Sequence, residues 1–256
     1  MNLINLAIDA ALKGGQVAKT YFRKPLEYRQ KSPDDFVSEA DVAVEQTIRE
    51  ILLTAEGIGW HGEETGESGD RAKYWLVDPI DGTANFIRGV PIYAISIALM
   101  DGNVPTLGVI YFPEREELFY AEMGKGAYMN GKPIKVSGRT KLEGSIIATG
   151  FPFRKKHLFD DYTRVFTTLY PYIGDLRRMG AAAIDLAYSA AGIFDGFFEF
   201  GLSPWDIAAG ILLVKEAGGS VYTFAGSDIW DTGNIIAGTP VIASDIKHMI
   251  DMALGD

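Results

Sequence analysis

The stretch Trp75-Leu76-Val77-Asp78-Pro79-Ile80-Asp81-Gly82-Thr83 has the residue types of a site that handles phosphate with metal ions. A short apolar run delivers two carboxylates, Asp78 and Asp81, and a Gly-Thr pair follows, free to present backbone N–H groups. Divalent cations bridge carboxylate and phosphate oxygens while such amides hold the phosphate. Pro79 cannot give a ladder hydrogen bond, so the strand is expected to end at Asp78 and the chain to turn there. On residue types alone, the stretch reads equally well as an acid-rich turn that closes a strand.

Two further pieces bring more carboxylates. Gly62-Glu63-Glu64 follows the short strand Ile58-Gly59-Trp60, and Ser203-Pro204-Trp205-Asp206 puts an acid in the first turn of a late helix. Taken singly, Glu63 and Glu64 fit a solvated loop, and Asp206 fits a helix cap acting on the dipole. Capping and metal binding are compatible, since each can use one carboxylate oxygen. Together Glu63, Asp78, Asp81 and Asp206 are a set of hard oxygen donors, with Asp41 and Glu64 as supporting candidates. The chain has no cysteine, so this set points to magnesium or manganese rather than zinc. The three histidines, His61, His157 and His248, are widely spread, which argues against a histidine zinc site or a Ser-His-Asp triad. His61 reads as a solvated loop residue. Gly124-Lys125-Gly126 reads as a turn, because it lacks Walker spacing and opens no helix.

The elements that must position these groups follow from periodicity. Leu3 to Phe22 places apolar and small residues on one helical stripe. A polar loop, Arg29 to Asp35, comes next. A second helix is expected after Ser38, with Val42, Glu45, Ile48, Ile51 and Leu52 at helical spacing and Ser38-Glu39-Ala40-Asp41 as its capping box. The middle of the chain is strand-rich: 74–77, 93–99, 107–111, 117–121 and 127–129, with tight turns at Asp101-Gly102-Asn103 and Asn130-Gly131. The last third alternates a strand at 145–149, helices at 160–170 and 181–192, a strand at 195–200 and a helix from Ser203 to Ala217. Strands at 220–224 and 235–243 and a helix from Ser244 complete it. Helices at both ends and strands between predict layered α+β architecture.

The chain has 256 residues, enough for one large core, and nothing marks a cut, so a single domain over 1–256 is expected. Lys plus Arg is 24 against Asp plus Glu at 34, a formal charge of -10. That balance suits a protein that collects cations and gives no support to a nucleic-acid partner. No run is apolar enough to cross a membrane, and the N-terminus lacks the basic start of a signal peptide, so a cytoplasmic address is expected.

These motifs together resemble the inositol monophosphatase family of the lithium-sensitive, magnesium-dependent phosphatase superfamily. Gly62-Glu63-Glu64, Asp78-Pro79-Ile80-Asp81-Gly82-Thr83-Ala84-Asn85-Phe86 and Pro204-Trp205-Asp206-Ile207-Ala208-Ala209-Gly210 fall in the family's order and spacing, and Phe36 to Asp41 matches its early helix start. The resemblance covers almost the whole chain. It implies a layered α-β-α-β-α sandwich of the inositol monophosphatase / fructose bisphosphatase type, a homodimer, and two or three Mg2+ ions, with Mn2+ as a substitute. It implies metal ligation by Glu63, Asp78, the carbonyl of Ile80, Asp81 and Asp206. Asp41 and Thr83 would form the pair that orients or deprotonates the attacking water, with Glu63 close by, and Glu64 would support Glu63. The amides of Gly82 and Thr83 would hold phosphate oxygens. Arg178-Met179-Gly180-Ala181-Ala182-Ala183 resembles the family's sugar-side segment, with Gly180, Ala181 and Ala182 reaching substrate hydroxyls and Arg178 behind them. Glu199 stands at the position whose carboxylate accepts hydrogen bonds from inositol. Lys31 to Asp35 resembles a mobile loop closing over a weaker metal.

Ala84 departs from a hydroxyl residue common in the family. Thr149 to Lys156 resembles bacterial members, its basic end Arg154-Lys155-Lys156 reading as a solvated loop. The implied activity is hydrolysis of inositol 1-phosphate or a similar polyol phosphate. Histidinol phosphate, fructose 1,6-bisphosphate and nucleotide 3'-phosphate are alternative substrates. A further alternative is a non-catalytic partner of transcription or ribosome-related complexes.

Overall fold

The computed structural model describes residues 2–32, 34–224 and 226–255; Pro33 of the expected polar loop lies outside them. In chain order the elements are α1 (Leu3–Tyr21), β1 (Tyr28–Ser32), β2 (Asp35–Ser38), α2 (Glu39–Leu52), β3 (Gly59–Gly62), β4 (Gly66–Ser68), β5 (Lys73–Asp81) and α3 (Thr83–Ile87). A run of strands follows: β6 (Ala94–Asp101), β7 (Val104–Phe112), β8 (Glu117–Glu122), β9 (Ala127–Met129), β10 (Lys132–Ile134) and β11 (Ile146–Thr149). The last part holds α4 (Phe159–Leu169), β12 (Asp175–Arg177), α5 (Ala182–Ala190), β13 (Gly196–Glu199), α6 (Pro204–Glu216), β14 (Ser220–Tyr222), α7 (Ile229–Thr232), β15 (Ile235–Gly238) and α8 (Pro240–Leu254).

The described residues form an eight-stranded sheet, β10-β9-β8-β7-β6-β5-β3-β4, and a five-stranded sheet, β12-β11-β13-β15-β14. The large sheet is apolar on both faces. Ile95, Ile97 and Leu99 of β6 pack with α1 and α2, while Ala94, Ala98 and Met100 pack with α5 and α6. Strand alternation sends successive side chains to opposite faces, so a strand buried on both reads as a continuous apolar run. The outer face of the small sheet carries α4 and α8. The layers are therefore α1/α2, large sheet, α5/α6, small sheet, α4/α8, the α-β-α-β-α order expected.

Four expectations about the elements need correction. The polar segment after α1 is not a loop: Tyr28 pairs Ser38, Arg29 pairs Val37 and Gln30 pairs Phe36 in an antiparallel ribbon. Tyr28, Arg29 and Gln30 are exposed while Val37 and Ser38 are buried, so polarity along 29–35 could not separate the ribbon from a loop. Strand β5 does not stop at Asp78. It continues to Asp81 through a register shift against β6, between the pairs Asp78–Ser96 and Asp81–Ala94. Pro79 sits inside that irregularity, where a missing N–H costs no ladder bond. The last helix starts at Pro240 rather than Ser244, with Thr239 as N-cap and Pro at the first helical position. On α2 the buried stripe is Ala40, Asp41, Val44, Glu45, Ile48 and Leu52, and Val42 is exposed. The short helices α3 and α7 are under two turns long, and the strand β12 has three residues, too few in each case to show a period.

Candidate active site

The β5 irregularity creates the site. In a regular strand, Asp78 and Asp81 would point to opposite faces. Here one carboxylate oxygen from each, and one from Asp206, all lie within 4.8 Å of one another. Asp206 arrives from the start of α6, which is fixed over the sheet where Ser96 Oγ of β6 donates to the Trp205 carbonyl at 3.0 Å. All three acids are buried. Each accepts one backbone amide: Asp78 from Ile80 at 2.9 Å, Asp81 from Ala183 at 2.7 Å, and Asp206 from Ser203 at 2.8 Å. The amides fix each carboxylate and leave a second oxygen available.

Burial, and then repulsion from Glu63, Asp81 and Asp206, pushes Asp78 well above the usual carboxylate range. Burial and Asp206 push Asp81 up to about 7. Asp206 is raised by burial too, with Arg154 opposing. Three dry carboxylates that resist ionising together fit a divalent cation, whose charge would offset that repulsion. The donors are all oxygen, as magnesium and manganese prefer.

Glu63 stands beside this triad, in the turn after β3, and Lys31 of β1 reaches it. Lys31 Nζ lies 2.9 Å from Glu63 Oε1 and 2.6 Å from Glu64 Oε1. Burial opposes the charge on Lys31, but the two carboxylates outweigh it and its pKa is raised. Glu64 is pushed up to about 7 by burial, with Lys31 opposing.

The expected pair is formed. Thr83 Oγ1 is 3.2 Å from Asp41 Oδ1 and 3.0 Å from the Ile80 carbonyl, so its one proton is shared between two acceptors. Asp41 also caps α2, its Oδ2 accepting the Ser38 amide at 2.8 Å and hydroxyl at 2.5 Å. Burial raises Asp41 to about 6. Gly82 caps α3 at φ 93°, and first-turn amides have no intrahelical acceptor.

One pocket joins Asp81, Gly82, Thr83 and Asp206 to Gly180, Ala181, Ala182, Arg178 and Glu199. The Glu199 carboxylate lies against Gly150, where a Cβ would fall 1.9 Å from Oε1. Burial, then Asp206 and Asp81, push Glu199 up to about 8.

Several site residues were not singled out from the sequence. Glu45, fully buried, accepts the amides of Glu64 and Thr65, both at 2.8 Å, and so holds the turn that carries Glu63. Its signal was an acid among apolar residues at helical spacing. Asn85 Nδ2 donates to Ile92 O at 2.9 Å and Met179 O at 3.0 Å, tying α3 to the sugar-side segment. Asp185 of α5 is buried without a partner on Oδ1 among the described residues, and burial raises its pKa well above the usual range. The basic end of 149–156 is not simply solvated. Arg154 pairs with Asp35 at 3.4 Å and feels Asp206, and Lys156 pairs with Asp34 at 2.5 Å, so this loop grips the β1–β2 ribbon. His61 lies on β3 rather than in a loop, its ring edge-on to Trp205 with centroids 5.6 Å apart.

Comparison with known proteins points the same way. Residues 1–251 match the inositol monophosphatase family. The Nus factor SuhB of Escherichia coli K12 is 42% identical over 258 residues, covering 97% of this chain and 96% of that one. The fructose-1,6-bisphosphatase/inositol-1-monophosphatase of Aquifex aeolicus is 41% identical over 246 residues, covering 93% and 91%. The crystal structure of the extragenic suppressor protein SuhB from Bartonella henselae superposes with a TM-score of 0.93 at 40% identity, covering 98% of both chains.

Proposed function

Because this chain belongs to the inositol monophosphatase family, we propose that it is a magnesium-dependent phosphomonoesterase acting on inositol 1-phosphate or a similar small polyol phosphate. The observation that carries this reading is the buried convergence of Asp78, Asp81 and Asp206 beside the Thr83–Asp41 pair.

In this reading Asp78, Asp81, Asp206, Glu63 and the Ile80 carbonyl hold two or three ions. Bound magnesium or manganese supplies positive charge and makes hydroxide available near neutral pH. Thr83, oriented by Asp41, positions or deprotonates the attacking water. The amides of Gly82 and Thr83 hold phosphate oxygens at the opening of α3, where the dipole favours negative charge. Glu199 accepts hydrogen bonds from substrate hydroxyls, and Gly180, Ala181 and Ala182 let backbone approach them. Glu45 and Glu64 keep Glu63 in register. Burial of the cluster makes each charge act more strongly on the reacting phosphate than it would in water.

The names of the Escherichia coli and Bartonella relatives describe those proteins. The full set of acids kept here supports catalysis over a purely binding role. The resemblance extends to a homodimer and to lithium sensitivity, which analytical ultracentrifugation and a lithium titration check. The deciding experiment is a panel of inositol 1-phosphate, histidinol phosphate, fructose 1,6-bisphosphate and a nucleotide 3'-phosphate, with magnesium and with chelator. Turnover of inositol 1-phosphate that stops with chelator and returns with magnesium is expected. Full activity in chelator rules out the reading.

A further inference from the structure

Three carbonyl oxygens from two segments meet at one side-chain amide. Asn85 Nδ2, on α3, donates to Ile92 O at 2.9 Å and Met179 O at 3.0 Å, with a longer contact to Gly180 O at 3.4 Å. A carbonyl can only accept, so these neighbours fix which end of the amide carries the nitrogen. Met179 is 94 residues away along the chain, so a local side chain holds a distant one in place. The backbones around this amide touch with nothing between them. Gly82, the N-cap of α3, has φ +93°, and a Cβ there would fall 3.1 Å from Ile92 O, 3.2 Å from Gly180 O and 3.3 Å from Ala181 Cβ. Gly180 has φ +85°, and a Cβ there would fall 3.0 Å from Asn85 Nδ2. Glycine is required at both positions by the left-handed backbone and by the close approach.

We infer that Asn85 is a positioning residue: it sets the separation between the amides that hold phosphate at the opening of α3 and the segment Gly180 to Ala182 that meets substrate hydroxyls. This assignment rests on the phosphatase reading above. Asn85 Nδ2 donates to backbone alone and to no carboxylate of the acidic cluster, so the side chain acts through the two segments it joins. A polyol phosphate has a fixed length from its phosphorus to its ring hydroxyls. When both ends are held, a small change in the separation of the two segments moves the phosphorus out of line with the attacking water. Without the amide, the carbonyls of Ile92 and Met179 lose their donor, and the partial negative charges gathered there repel one another. A ligand held at one end only does not feel the separation. Inorganic phosphate and phenyl phosphate, which carry no hydroxyls for Gly180 to Ala182 to meet, are such ligands.

The test compares inositol 1-phosphate with phenyl phosphate in the wild type and Asn85→Ala, with magnesium binding read by calorimetry. In the variant, kcat for inositol 1-phosphate should fall roughly 10–100-fold, the scale for a small misplacement of reacting groups, while its KM changes less. The fall for phenyl phosphate should be much smaller, and magnesium affinity should stay near that of the wild type. A merely structural role lowers Tm and leaves the ratio of the two kcat values unchanged. Should Asn85→Ala fail to fold by circular dichroism, Asn85→Gln carries the measurement, because it keeps both donors on a longer stem and should still lower the ratio. An unchanged ratio, or a loss of magnesium affinity that accounts for the fall in kcat, overturns the assignment and leaves the phosphatase reading standing. If the wild type hydrolyses neither ester, the phosphatase reading fails. Calorimetric binding of inositol 1-phosphate and of inorganic phosphate then judges Asn85: a loss confined to the ester supports the role, and equal losses overturn it.

Discussion

Two helix starts in this protein share one local design and serve different chemistry. At α2, Ser38 is the N-cap and Asp41 the third helical residue; at α6, Ser203 and Asp206 repeat the pattern, and both form capping boxes. In each box one carboxylate oxygen accepts the serine amide at 2.8 Å. What the other oxygen meets differs. That of Asp41 accepts from Thr83, while Asp206 joins Asp78 and Asp81. The cap is a rigid mount for a carboxylate, and long-range packing decides what the mount is aimed at.

The strongest way to break this comparison is Asp206→Asn. The cap survives in part, because the amide oxygen can still accept from Ser203, but a charge is lost from the cation-binding cluster. Turnover and magnesium binding, read by calorimetry, should be abolished together. Normal magnesium affinity and normal turnover would reduce Asp206 to a cap.

The equivalent change in the first box should separate the two properties. Asp41→Asn and Thr83→Ala leave every proposed ligand in place, so magnesium affinity should stay near normal while kcat falls by roughly 10²–10⁴-fold. The double variant should lose little more than either single one, since the two act as a unit. If Asp41→Asn turns over at the normal rate but melts lower, the box at α2 is only structural.

Stability against pH should distinguish the boxes more finely. Burial raises Asp41 to about 6 and Asp81, beside Asp206, to about 7. Both groups bind their protons more tightly folded than unfolded, so the stability they contribute is fully present below about pH 4 and is lost as pH rises through 6 and 7. The melting temperature of metal-free protein should fall over pH 5 to 8, and magnesium should restore it most at the upper end. Asp41→Asn should flatten the part of the fall near pH 6 and leave the part near 7. A metal-free melting temperature that rises across this window contradicts the assignment.

The smallest effects come from the serines. Ser203→Ala should cost about 1 kcal/mol, or roughly 2–4 °C in Tm, with kcat nearly unchanged. Ser38→Ala should cost a similar amount and also lower kcat, because the Ser38 hydroxyl lies 2.5 Å from the carboxylate that orients Thr83. Equal kcat values in the two variants would mean that the hydroxyl does not tune Asp41.

Much of this was legible along the chain because its causes are local. Both capping boxes, the helix α1 and the two-faced strands β6 and β7 follow from hydrogen-bonding and periodicity over a few residues. Legibility failed where local rules were silent. The polar ribbon β1–β2 is stabilised across the molecule, by Lys31 on Glu63 and by Asp34 and Asp35 on Lys156 and Arg154. Pro79 signalled a break in pairing, but not that the strand would resume beyond it with its two acids aimed together.

The sequence by itself determined which oxygens are available, that no thiolate competes with them, and that Asp41 and Asp206 sit in first turns. The tertiary structure alone decided that Asp206 meets Asp78 and Asp81, that Lys31 covers Glu63, and that Arg178 and Glu199 share one pocket with the acids. The physical reason is range. Caps and turns are settled by groups a few bonds apart, whereas a buried cluster of like charges forms only where the packing of α6 on the large sheet forces acids from distant segments into one dry space.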